Sequence, residues 1–238
     1  MDTEDQQQMA DQVPDAESAE TLLGLTKAAV STVPILGGFA AELIGVVIGP
    51  QIEQRRTDWL NSLARRLARL EDRVEGFQVE DLVDHPAFTS AMLKAGVMAL
   101  WNHNEEKLEA LRNAVLNVAV ASAPEEDEHE MFISLIDSFT GWHLRILAFL
   151  ADKKAIAQKR ERLPLPGWSM GGVATVLEHV YPELVGRRDL YDLIVSDLNR
   201  AGLVDIDSLH VTGTRDGYML AKQSTYMGDR FLRLITEP

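Results

Sequence analysis

Leu60, Leu63, Leu67, Leu70, Val74 and Phe77 follow one another in steps of three and four. That spacing is a heptad seam, and it predicts a helix over 51–77. Its other faces carry Arg55, Arg56, Arg65, Arg66, Arg69 and Arg73 among Glu53, Asp58, Glu71, Asp72 and Glu75, the pattern of a solvated, salt-bridged surface. A second helix is predicted over 86–101. A third starts at Asn104-Glu105-Glu106 and continues through Leu108, Leu111, Val115 and Val118. After the loop 123–127, a long helix is predicted over 128–154, with Phe132, Leu135, Ile136, Phe139, His143, Ile146, Leu147 and Leu150 on one broad face. Long helices with short connections predict an antiparallel bundle.

Ahead of the heptad lies a different pattern. Residues 28–41 carry no charge, and Pro34 with Gly37-Gly38 predicts a bend between two helical pieces. From there small residues recur every fourth position: Gly37, Ala41, Gly45 and Gly49. A spacing of four puts them on one helix face, a glycine zipper that lets another helix approach closely. Gly49-Pro50 is expected to end this segment.

Beyond 159 the pattern changes again. The stretch KRERLPLPGWSMGG is basic, then rich in Pro and Gly, and is read as a linker over 161–172. Helices are expected over 173–180, 187–201 and 226–235, with short strands at 203–206 and 218–223 around the turn-rich 212–217. Helix, helix, hairpin, helix is the order of a winged-helix-like module. The expected fold is therefore mainly α: an N-terminal helical hairpin and antiparallel bundle over 21–160, with the zipper segment at 35–50, and a winged-helix-like α+β module over 173–238.

Charge sharpens the division. The net charge is −14, and residues 1–20 hold seven carboxylates and no Lys or Arg, half of that total. This acidic, aromatic-free stretch is expected to be a disordered tail. An acidic chain is a poor ligand for phosphate backbones, so nucleic acid is not an expected partner. Cysteine is absent, which excludes disulfides, thiolate catalysis and cysteine-ligated zinc and fits a reducing compartment. No positively charged stretch precedes Lys27, so no secretory signal is expected.

Candidate chemistry is sparse. Gly167-Trp168-Ser169-Met170-Gly171 matches the G-x-S-x-G elbow of serine hydrolases, and Asp189 or Asp192 with His210 would complete a triad in chain order. The elbow needs a buried strand before its serine, whereas Ser169 follows two prolines and three charges. A linker is the favoured reading and a hydrolase the third-ranked function. His143 lies on an apolar face and reads as a core histidine. His103 and Glu106 have the spacing of half a carboxylate-bridged metal site, but no second such pair exists. No catalytic residue, metal or cofactor is expected.

The zipper segment is nearly long enough to span a bilayer. Its ten strongly apolar residues within 28–50 contribute roughly −3 to −6 kcal/mol, while Glu42 costs roughly +3 and Pro34 and the glycines add more. The sum is near zero. Two readings stay open: burial in a soluble fold, or insertion conditional on assembly, with Glu42 turned inward.

Several short phrases carry a resemblance: Pro34-Ile35-Leu36-Gly37-Gly38, Gly49-Pro50 with Arg55-Arg56 and Trp59-Leu60, Asn104-Glu105-Glu106-Lys107, Leu135-Ile136-Asp137 before His143-Leu144, and Met227-Gly228-Asp229-Arg230-Phe231-Leu232. The chain resembles small bacterial helical proteins of the abortive-infection alpha type, linked to phage defence. The resemblance implies growth arrest or death of infected cells, and it brings no catalytic residues. The expectation is a non-enzymatic, cytoplasmic defence or toxicity effector that self-associates and conditionally contacts the inner membrane. The alternative is a soluble regulatory protein that binds a protein partner through its C-terminal module.

Overall fold

In the computed structural model the backbone is described for residues 38–120 and 125–238, and the side chains for those from 51 onward, Glu126 apart. Helix α1 runs Gly38–Arg73, straight through the expected stop at Gly49-Pro50. Proline in a helix loses one N–H bond, but its φ is helical. The residue before a proline is pushed out of the helical region largely by its own Cβ, and Gly49 has none. The stop is therefore weaker than the dipeptide suggests. Pro34 and Gly37, and the bend expected between them, lie outside the described residues, as does the 1–20 tail.

The chain divides into two units, Met1–Thr57 and Asp58–Pro238. In the first, the described part is the α1 segment from Gly38. In the second, α1 contributes buried Trp59, Leu63, Leu67 and Leu70, spaced by four, four and three. It ends at Arg73, and the chain turns away through Gly76, whose φ of +79° needs glycine. A 3-10 turn, Val79–Asp84, leads to α2, Pro86–Trp101. His85 caps α2 by accepting from the Phe88 N–H at 3.1 Å, and Pro86 fills the first position, where no N–H is needed. Ala91, Ala95 and Ala99 face inward, while Leu93, Val97 and Trp101 stand on the opposite, solvent side.

Helix α3, Glu105–Ala119, is capped by Asn104 and buried along most of its length. The long helix expected over 128–154 is instead three: α4, Glu126–Ser138; α5, Gly141–Ala151; and α6, Lys153–Lys159. Local caps cause the breaks. The His143 ring accepts the Thr140 N–H at 3.1 Å, and the Asp152 carboxylate accepts the Ala155 N–H at 2.9 Å. The apolar periodicity continues across both breaks, which is why it reads as one helix.

The 161–172 stretch is not a free linker, because its end forms a strand. There β1, Met170–Gly171, pairs antiparallel with β2, Gly213–Thr214. Helices α7, Val173–Val180, and α8, Arg188–Arg200, follow β1. The strands expected at 203–206 and 218–223 shrink to one bridge between Val204 and Ser224, and Arg215–Met219 closes into a π-helical turn. Tyr218 packs onto Gly213 there: a Cβ on residue 213 would stand 2.4 Å from the Tyr218 Cβ and 2.6 Å from its ring, so the turn needs glycine at that position. The last helix, α9, Tyr226–Leu234, sets Phe231 against Phe132 and Phe139 of the bundle, 5.4 and 6.2 Å between ring centroids. The bundle and the C-terminal helices thus share one core. The fold is mainly helical with a small two-stranded antiparallel sheet.

Candidate functional site

A groove of about 690 Å³ opens between the start of α3, the outer face of α5, the end of α6 and Tyr181. The first turns of α3 supply Glu105, Glu106 and Glu109, favoured there by the helix dipole. Leu144, Ala148, Ile156 and Ile235 add apolar lining, and Arg145, Lys159 and Arg160 add three cations.

The three carboxylates are already partnered. Glu109 takes a bidentate pair from Arg66 at 2.7 and 2.8 Å and a third bond from Arg112 at 3.0 Å. Glu105 also pairs with Arg112. Glu106 accepts from Arg145 Nε at 2.5 Å, while its second oxygen is buried without a partner. That oxygen lies where a side chain on residue 141 would be, 2.4 Å from an added Cβ, so Gly141 makes room for it.

The cations are held differently. The Arg145 guanidinium stacks over Trp142 at 4.6 Å, and Arg160 over Tyr181 at 4.4 Å. Arg160 also donates to the Val180 carbonyl at 3.0 Å and to Glu183 at 2.7 Å. Burial pushes the Tyr181 phenol up to about 12, against the pull of Arg160 and Arg145, so it stays a neutral donor. Lys159 is exposed and has no ion-pair partner among the described residues.

Of the residues singled out in the sequence, Glu105, Glu106 and Leu144 line this groove. Ala41, Glu42, Gly45 and Gly49 lie in the backbone of α1, and Gly37 precedes the described residues. Of the heptad seam, Leu63, Leu67 and Leu70 are buried and Phe77 is half-buried. Leu60 is 40% exposed and Val74 lies past the helix end, while Trp59 takes a buried place. No helix among the described residues is long and apolar enough to cross a membrane.

His143 is buried and stacked on Phe139 at 4.8 Å. Its Nδ1 is occupied by Thr140, and its Nε2 lies 3.5 Å from Asp197. Burial lowers its pKa, partly offset by Asp197. His210 and Asp192 do pair, at 2.8 Å, but the exposed Ser169 hydroxyl has no hydrogen bond to either among the described residues. A nucleophile needs that link to its base. Glu106 is turned to Arg145 rather than to His103. Among the described residues no three His, Asp or Glu side chains gather as metal ligands would.

Sequence reasoning passed over Lys153, Tyr181 and Asn117. Lys153 is 1% exposed and donates to the Ala221 carbonyl at 2.5 Å and to Gln223 at 2.8 Å. Asn117 sends its amide toward the carbonyls of Leu234 and Thr236, at 2.8 and 2.9 Å, satisfying the open end of α9. Only Asn117, a polar residue on the apolar face of a helical pattern, left a trace in the sequence. No family model, curated protein or solved structure matches the chain.

Proposed function

We propose that the chain is a non-enzymatic bacterial defence or toxicity effector. It acts by conditional self-assembly through the small-residue face Gly37, Ala41, Gly45 and Gly49, with contact at the inner membrane following assembly. The observation that carries this reading is that Ala41, Gly45 and Gly49 fall within one uninterrupted helix, α1. Spacing of four on an unbroken helix gives a continuous face on which a second copy can pack closely. The reversed faces of α2 support it as well. That helix buries alanines and exposes Leu93, Val97 and a Trp101 that is 73% exposed, and such stripes belong to association surfaces. Assembly is placed before the membrane because no described helix is apolar enough to cross one alone. The resemblance to abortive-infection alpha proteins supplies the defence context. Expression in bacteria with a membrane-potential dye tests the reading, comparing the natural chain with a Gly45→Leu, Gly49→Leu variant.

A second reading makes residues 173–238 a winged-helix-like module for a protein partner. It is favoured by α8, whose outer face presents Leu193, 59% exposed, among Asp189 and Arg200. Leu193→Asp leaves the fold intact under this reading and abolishes the phenotype. An unchanged phenotype removes it.

A further inference from the structure

We propose that the groove between α3, α5, α6 and Tyr181 binds a phosphate monoester carried on an apolar stem. This site is independent of the small-residue face and goes beyond the effector reading.

Part of the donor capacity of the two arginines is already used. Arg145 spends its Nε on Glu106, and Arg160 spends Nε and Nη2 on Val180 and Glu183. Both Nη groups of Arg145 and the Nη1 of Arg160 make no hydrogen bond among the described residues. Lys159 Nζ adds three more donors in the same groove. The two rings over which these guanidiniums stack, Trp142 and Tyr181, lie 5.5 Å apart between centroids, so both cations sit around one aromatic pair.

Proximity alone would be weak if the groups were mobile. Here each guanidinium is fixed by an ion pair at one edge and an aromatic face, Trp142 for Arg145 and Tyr181 for Arg160. Planar guanidiniums held in this way are pre-organised for oxyanions and lose little entropy on binding. The acidic residues beside them do not use up their donors. Glu105 and Glu109 are neutralised by Arg112 and Arg66, and Glu106 and Glu183 each take one edge of Arg145 and Arg160. The lining itself holds three carboxylates and three cations; counted with their ion-pair partners Arg66, Arg112 and Glu183, five cations meet four carboxylates, and Lys159 is the one left over.

Three cations lining one groove suit a dianion better than a single carboxylate. Leu144, Ala148 and Ile156 give the same groove apolar lining, with room for a short stem. Phosphate monoesters from lipid-like and nucleotide sources share this head chemistry, and the stem distinguishes them.

The test is calorimetric titration of the full chain with hexyl phosphate, inorganic phosphate, adenosine monophosphate and hexyltrimethylammonium, with Trp142 fluorescence as a second readout. Hexyl phosphate is expected to bind about tenfold more tightly than inorganic phosphate, and the cationic ligand not at all. Tighter binding of adenosine monophosphate than of hexyl phosphate also supports the site and assigns the stem as a nucleoside. Lys159→Gln, at an exposed position that leaves the fold intact, is expected to weaken hexyl phosphate about fivefold, and Arg160→Gln about tenfold or more. Equal binding of hexyl phosphate and hexyltrimethylammonium, equal binding of phosphate with and without a stem, or affinities unchanged in Lys159→Gln overturns the proposal.

Discussion

Lys153 sits almost completely out of water, held by two oxygens and lying 5.6 Å from the centre of the Phe149 ring. Burial lowers its pKa from 10.5 to about 8, with Asp205 and Asp152 opposing. Between these values the unfolded chain is protonated at this lysine and the folded chain is not, so stability rises with pH from about 8 toward 10. Burial acts the other way on Tyr181 and Tyr191, each pushed from 10.0 to about 12, so stability falls again above 10. On the acid side, burial lowers His129 and His143, and stability declines as pH drops below their ordinary 6.5. Urea midpoints across this range should trace a rise near pH 9 that Lys153→Met flattens. A midpoint that is level from pH 8 to 10 in the natural chain contradicts the assignment. Two further residues bear on the same core. Asn117→Ala strips donors from the buried end of α9 and should cost about 2 kcal/mol in chemical unfolding. Gly228→Ala puts a Cβ 2.1 Å from the Leu203 carbonyl oxygen, a backbone atom that cannot swing aside, and should cost about 3 kcal/mol.

Elements were legible where a cap marks the start in sequence. Pro86 behind His85, and Asn104 ahead of Glu105-Glu106, announce α2 and α3 directly. The breaks before α5 and α6 were hidden because the box at Thr140 uses His143 instead of the usual Glu or Gln, and because apolar spacing runs on through Asp152. The groove was illegible for a different reason. Its side chains come from α3, α5, α6 and the turn at Tyr181, and only tertiary packing brings them together. Its one sequence-level trace, the acidic start of α3, is also what any helix start shows. At this scale α2 offers the cleaner test. Val97→Glu lies on the exposed stripe and should change stability by no more than about 0.5 kcal/mol. Under the self-association proposal it nonetheless lowers the oligomer fraction in sedimentation. An unchanged oligomer fraction removes α2 from the proposed interface.

At the scale of the whole molecule the chain divides at Asp58. Residues from Asp58 onward build a single core that reaches from the bundle helices to α9, stapled at Asn113 and Asn117. The chain ahead of Asp58 holds the small-residue face and the acidic stretch 1–20, which has seven carboxylates and no cation. The proposal assigns assembly to the first stretch and control to the second. Bacterial expression of the natural chain and of the Gly45→Leu, Gly49→Leu variant, read by growth and membrane potential, tests this most directly. The account predicts arrest with depolarisation for the natural chain, and loss of both in a variant that still unfolds at the natural midpoint. Undiminished arrest in the variant contradicts it.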